Sequence, residues 1–304
     1  MPEQRYSPKY SFNRIGLALS LCAVALILAQ AIVGNVVYAL WPSVAGAWWF
    51  RFALTSLFYL VAAPVFWLFV HDVPRGERPV HVSLTPSFFF TALGISLGGM
   101  YFFNYVGFFV TQGIARLRGV AVDNPLVSLL DGADPIVVFL LVCVASPVAE
   151  ELVFRGLLLD RLRPFGDRMA VLFSALAFGL FHMNLSQFFY ATAIGLVLGY
   201  VTVRTGKRTC AILLHICLNL LGSLVIPYLA SVDNLYVRTA TGVLVFALIA
   251  LSALLLFLFC GRIALSPASR EPESEIREKS LYLCPGALSY YVVCLFAIML
   301  NLFA

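Results

Sequence analysis

The chain has 304 residues, of which 62% are apolar and only 12% charged. A soluble domain runs near 45–50% apolar and about 25% charged, so a water-soluble globule is excluded, and the spread of apolar residues over the whole length excludes a soluble domain on one anchor. The formal net charge of +5 sits in short basic clusters between apolar runs, as topogenic signals do, and gives no reason to expect a nucleic-acid partner.

In chain order, the apolar runs predict about nine helices, at 15–40, 47–70, 87–111, 135–159, 169–185, 188–203, 209–230, 237–260 and 281–304. Arg5, Lys9 and Arg14 precede the first run and Ala29-Gln30-Ala31 lies inside it, which imitates a cleavable signal peptide. The run nevertheless stays apolar to Leu40, well past an h-region of about 7–15 residues, and this favours an uncleaved span. The fifth and sixth helices are short and are divided only by Asn184-Leu185-Ser186-Gln187. The most polar stretch, Ser266 to Ser280 within a charged loop at 262–280, reads as a solvated connector. The expected fold is an all-α polytopic membrane protein of eight or nine transmembrane helices, with N-terminal spans over 1–134, a core over 135–230 and C-terminal helices over 231–304.

Alternate loops sort the basic residues. One set collects Arg5, Lys9, Arg14, Arg75, Arg78, Arg161, Arg163, Arg168, Arg204, Lys207, Arg208, Arg262, Arg270, Arg277 and Lys279, and the other only Arg51, Arg116, Arg118 and Arg238. The positive-inside rule then predicts a cytoplasmic N-terminus and, with nine spans, a C-terminus on the outside. Seven cysteines without paired spacing predict neither disulfides nor a metal cluster. The final residues, Asn301-Leu302-Phe303-Ala304, lack the cysteine of a prenylation box. No internal repeat is evident, which weakens a transporter reading.

Ionisable groups inside a span are costly, so each one is a functional hypothesis. In Glu150-Glu151-Leu152-Val153-Phe154-Arg155, Glu151 and Arg155 stand one helical turn apart in the favourable order for an ion pair. Glu150, turned by about 100°, needs a partner from another helix or a water-filled cavity. Phe178 and His182 form a second place, and His215 with Asn219, one turn apart on a shared face, form a third. Counted from Asp160, Arg168 and Arg208 at about 1.5 Å per residue, Glu150, His182, His215 and Asn219 lie roughly 10–21 Å inside, at levels that allow them to meet. A carboxylate, two imidazoles and an amide at one depth suit hydrolysis of a carbonyl compound. The carboxylate takes a proton from water, an imidazole orients that water, and His and Asn donors stabilise the oxyanion. Cys217 projects away from Asn219 and has no evident activating base, which disfavours it as a nucleophile.

Glu-Glu-x-x-x-Arg, Phe-x-x-x-His and His-x-x-x-Asn, in that order in separate apolar helices from Pro135 to Gly222, resemble the CAAX-protease and bacteriocin-processing (CPBP, or Abi) family of intramembrane endopeptidases. The resemblance implies a helical membrane fold around a polar cavity, with Glu150 activating water, helped by His182. It further implies an oxyanion hole of His215 and Asn219, with Glu151, Arg155 and Phe178 in support. The substrate implied is a membrane-associated or lipid-modified protein or peptide. No cofactor is favoured, since the helical zinc signature HExxH is absent; the alternative is zinc held by Glu150, His182 and His215. Two other function classes use the same residues: a non-catalytic membrane scaffold or immunity protein, and a transporter or proton relay.

Overall fold

Each long apolar run forms a helix, and the residues at its ends explain where it starts and stops. The computed structural model describes residues 7–119, 122, 124–130, 132–267 and 278–303; Arg5 and the charged stretch over 268–277, expected to be a solvated connector, lie outside them. Helix α1 (Pro8–Leu40) begins where the Ser7 side chain accepts a hydrogen bond from the Tyr10 backbone N–H and a proline occupies the first turn. It is followed by α2 (Trp48–Val70) and α3 (Pro86–Arg118). The latter is capped by Thr85 and stopped by Gly119 at a φ of 69°. Helix α4 (Pro135–Phe165) carries the glutamate pair. Next come α5 (Asp167–Phe181) and α6 (Leu185–Thr205), the second capped by Asn184 and ended by Gly206. The series closes with α7 (Arg208–Ser231), α8 (Leu235–Arg262) and α9 (Pro285–Phe303). No strand occurs among the described residues.

Among the described residues, eight helices are long and apolar enough to cross a membrane, and the protein is a multi-pass integral membrane protein. The one left out of that eight is α5, whose fifteen residues span about 22 Å, short of a hydrocarbon core of about 30 Å. The sequence predicts a helix over 169–185, but the structure ends it at Phe181. His182 is the C-cap, Met183 adopts a positive φ of 52°, and Asn184 starts the next helix. Stretches of wider π-helix interrupt α2 at Phe58–Ala62, α4 at Val138–Ala145 and again at Leu152–Leu159, and α7 at Leu220–Val225. Glu150 and Glu151 lie between the two wide stretches of α4, and Asn219 directly precedes that of α7. Such turns are frequent at functional sites.

The chain divides into two compact units. One comprises Met1–Arg75, Asp123–Asp134 and Arg270–Ala304. Within it α1 packs along α9, and a Cβ added to Gly16 would fall 2.3 Å from the backbone nitrogen of Ala287. Bare Cα atoms at Gly16 and Gly286 are therefore what bring these backbones together. Ser20 and Ser289 share a hydrogen bond of 2.7 Å across the contact, and Gly286 N–H donates to the Asn13 side chain. Arg14 ties α1 to the end of α2 through Asp72 at 2.9 Å and the Phe69 carbonyl at 2.7 Å.

The other unit comprises Gly76–Val122 and Pro135–Ser269 and holds every motif residue. Helix α6 packs against α3, α5 and α7, while α8 lies along α3 and α7 also touches α4. Leu198, Ala211, Leu214 and Leu218 are fully buried at the centre of this packing. At one end of the unit the connecting segments are braced by polar contacts. Gly76 N–H donates to the Asp160 carbonyl, Arg78 pairs with the Asp160 carboxylate, and the N–H groups of His81 and Val82 donate to the Arg204 carbonyl. Arg163 and Asp167 pair at 3.0 Å, and Asp167 exchanges backbone and side-chain hydrogen bonds with Ser266. Seen from that braced end, the motif side chains lie deeper in the helices.

Candidate active site

Glu151 and Arg155 make the expected intrahelical pair, with Arg155 Nη1 donating to Glu151 Oε1 at 2.8 Å and both side chains 0% exposed. A buried guanidinium needs more than one acceptor. Arg155 finds a second in the Gly195 carbonyl on α6, at 3.0 Å, and its plane lies 4.8 Å from the Phe178 ring centroid. Gly195 also lets α6 approach α5 closely, because a Cβ there would lie 3.0 Å from Ala175 Cα and 3.3 Å from the Phe178 ring. Phe178 thus does more than fill space. Its ring contacts Arg155 and meets the imidazoles of His182 and His215 edge-on, at centroid distances of 4.9 and 5.8 Å.

His215 reaches from α7 to both glutamates. Its Nδ1 lies 3.0 Å from Glu151 Oε1, and its Nε2 lies 3.8 Å from Glu150 Oε2. The inter-helix partner that the sequence demands for Glu150 is therefore His215. Glu151 has a second role the sequence did not reveal, since it orients His215 as well as neutralising Arg155. An ionised carboxylate only accepts, so Nδ1 is the donor toward Glu151 and Nε2 is the ring nitrogen turned toward Glu150. Glu150 has 21% of its side chain exposed, whereas Glu151 has none, so Glu150 is the carboxylate with an open face.

His182 follows similar logic. Its Nδ1 lies 2.9 Å from the Phe178 carbonyl, which only accepts, so Nε2 is left as an acceptor within electrostatic reach of His215. Asn219 aims at the same helix as His215 but at a different group, its Nδ2 donating to the Val142 carbonyl at 2.9 Å. The structure thus gathers Glu150, Glu151, Arg155, Phe178, His182 and His215, and anchors Asn219 one turn further along α7. Val142 and Gly195, which hold Asn219 and Arg155 by their carbonyls, carry no signal in the sequence, because any residue offers a carbonyl.

A zinc site needs three donors converging on one point. Among the described residues no three His, Cys, Asp or Glu side chains are arranged to hold a metal ion. The Nδ1 atoms of His215 and His182 are engaged by Glu151 and by a backbone carbonyl, which leaves their Nε2 atoms as the ring nitrogens that the zinc alternative would use together with Glu150. All seven cysteines are free thiols.

Residues 132–221 match the family model described as type II CAAX prenyl endopeptidase Rce1-like. This segment is Rce1-like. It contains the whole site, from Val142 and Glu150 to Asn219, and agrees with the CPBP resemblance carried by the three motifs. The Rce1-like family implies a protease-type enzyme acting on a protein substrate in the membrane. Neither the curated proteins nor the solved structures contain a match to the chain.

Proposed function

We propose that this protein is an intramembrane endopeptidase that hydrolyses a peptide bond in a membrane-associated or lipid-modified protein or peptide. The observation that carries this reading is the partly exposed Glu150 facing His215 Nε2, with His215 held by a fully buried Glu151–Arg155 pair, inside an Rce1-like segment. In the proposed reaction, water bridges the acceptors Glu150 and His182 Nε2. Glu150 takes one of its protons as the oxygen adds to the scissile carbonyl carbon. That proton then passes to the departing amine nitrogen when the carbon–nitrogen bond breaks. Asn219, with one amide proton engaged by Val142, has the other for the oxyanion. His215 joins it as a donor only when Nε2 is protonated, because its Nδ1 proton is held by Glu151. The pair of Glu150 and His215 therefore shares one proton between water activation and oxyanion stabilisation.

This scheme runs without a metal, and full activity after exhaustive chelation is its expected result; stoichiometric zinc lost together with activity would overturn it. The N-terminus is assigned to the cytoplasmic side by the distribution of basic residues, with cleavage on the cytoplasmic half of the bilayer. Comparative proteomics of membranes bearing wild-type or Glu150→Ala protein tests the function. A new protein terminus that depends on Glu150 is expected. Cleavage retained in the variant sinks the proposal. Substrate flux across sealed vesicles without proteolysis would identify a transporter instead.

A further inference from the structure

Among the described residues Met183, between α5 and α6, is the one non-glycine residue with a positive φ, 52°. A side chain makes that conformation costly, so its neighbours must hold it. Asn184, which is buried, clasps the turn from both sides. Its Nδ2 donates to the His182 carbonyl at 2.9 Å, and its Oδ1 accepts from the Gln187 backbone N–H at 2.8 Å. These two backbone groups have fixed polarity, so the clasp needs a side chain with a donor arm and an acceptor arm. Nδ2 donates in addition to Gln187 Oε1. The turn held in this way bears on His182 itself. Its N–H reaches back three residues to the Gly179 carbonyl, at 3.3 Å, while the Phe178 carbonyl, four residues back, accepts from His182 Nδ1 at 2.9 Å. Continuing the helix through Met183 would make the imidazole share that acceptor with the His182 N–H. The tautomer of a neutral imidazole is set by the hydrogen bond one of its nitrogens makes, so the shape of this turn decides where the proton of His182 resides.

We propose that Asn184 is a positioning residue for His182, its amide clasping the Met183 turn in the geometry that keeps the imidazole proton on Nδ1 and leaves Nε2 as the acceptor. The inference rests on His182 acting as a water-holding acceptor in the reaction above. Capping of α6 alone does not account for the amide. Serine or threonine would cap the helix about as well, with one short arm in place of two.

Solid-state nitrogen NMR of the full chain in liposomes, with isotope-labelled histidine, reads the tautomer directly. The chain has four histidines, and the signals lost in His182→Gln identify those of His182. In the wild-type protein the protonated ring nitrogen of neutral His182 is expected to be Nδ1. Asn184→Ser lowers the ratio of Nδ1–H to Nε2–H forms roughly fivefold, the size of one neutral hydrogen bond, and Asn184→Thr does the same. Adding Met183→Gly to Asn184→Ser restores the ratio, because glycine takes a positive φ without the clasp. Asn234→Ser, the same change at the N-cap of α8, leaves it at the wild-type value. A wild-type His182 protonated on Nε2, an unchanged ratio in the Asn184 variants, or a double variant that is not rescued overturns the proposal. In the cleavage assay Asn184→Ser lowers kcat roughly fivefold with KM within about twofold of wild type, and the double variant recovers it. A change confined to KM, or a wild-type kcat alongside a shifted tautomer, also overturns it. Wild-type protein that cleaves nothing while the NMR contrast persists would remove the endopeptidase reading and leave Asn184 as the residue that sets the His182 tautomer.

Discussion

Two buried ion pairs of i,i+4 spacing stand close together in the chain, one at a helix end and one at the centre of the helices. Arg163 and Asp167 close the braced end of the helices: Asp167 Oδ1 accepts from Arg163 Nε at 3.0 Å, and Oδ2 accepts from the Ser266 backbone N–H at 3.1 Å. Both carboxylate oxygens are occupied by partners that do not titrate near neutrality. Glu151 and Arg155 look alike on paper, yet Glu151 Oε1 serves both Arg155 and His215, and the buried Oε2 has no hydrogen-bond partner among the described residues. The carboxylate at the helix end is fully engaged, whereas the one at the centre is bound to an imidazole that faces a partly exposed glutamate. Uncommitted hydrogen-bonding capacity in a low-dielectric interior is expensive to keep. Its presence at one carboxylate and not the other separates the candidate site from the brace.

Four substitutions break or sharpen that contrast. The largest effect on chemistry is expected for Glu150→Gln, which keeps size and hydrogen bonding but cannot take a proton. Cleavage should fall by roughly 10³-fold, with thermal stability in detergent essentially unchanged. Arg155→Met leaves Glu151 buried without its cation and should lower stability by about 3–5 kcal/mol, read as the midpoint of unfolding. Survival of a fully stable Arg155→Met protein would mean that the buried Glu151 does not depend on Arg155. Asn219→Ala removes one oxyanion donor and the clamp on Val142; kcat should drop roughly 10²-fold, with KM little altered in single-turnover and steady-state assays. Asp167→Asn is the smallest. Losing the Arg163 pair and weakening the Ser266 bond should cost about 1–3 kcal/mol while kcat of the remaining folded protein stays at the wild-type value. A collapse of kcat in Asp167→Asn would erase the distinction between the two pairs.

Spacing made the central pair legible in the sequence, because Glu151 and Arg155 face each other on any helix and the carboxylate comes first. The Arg163–Asp167 pair was hidden: the order is reversed, Gly166 breaks the helix between them at a φ of 111°, and both basic neighbours also serve as topogenic charges. The three motifs located Glu150, His182, His215 and Asn219, but not which imidazole nitrogen faces which oxygen, since His215 and Glu151 are 64 residues apart. The polar break at Asn184 was visible, whereas the early end of α5 at Phe181 was not. It depends on Met183 taking a left-handed backbone that its side chain does not advertise. Wide helical turns were invisible for a related reason. A uniformly apolar run has no pattern that distinguishes i→i+5 from i→i+4 bonding, so Val138–Ala145 reads as ordinary helix.

The contact of α1 with α9 has a consequence for biogenesis. Gly16 meets Gly286 and Ala287 at backbone distance, so the partner of α1 on its Gly16 side is made more than 200 residues later, after the helices of the motif-bearing unit have left the ribosome. That unit has all its helices in hand while α1 still waits in the lipid with a bare glycine exposed. The order of synthesis thus favours a motif-bearing unit that assembles first and a second unit that is completed when the Pro285–Phe303 helix arrives. A chaperone or insertase that shields α1 would act in that interval, between insertion of the Pro8–Leu40 helix and that of Pro285–Phe303.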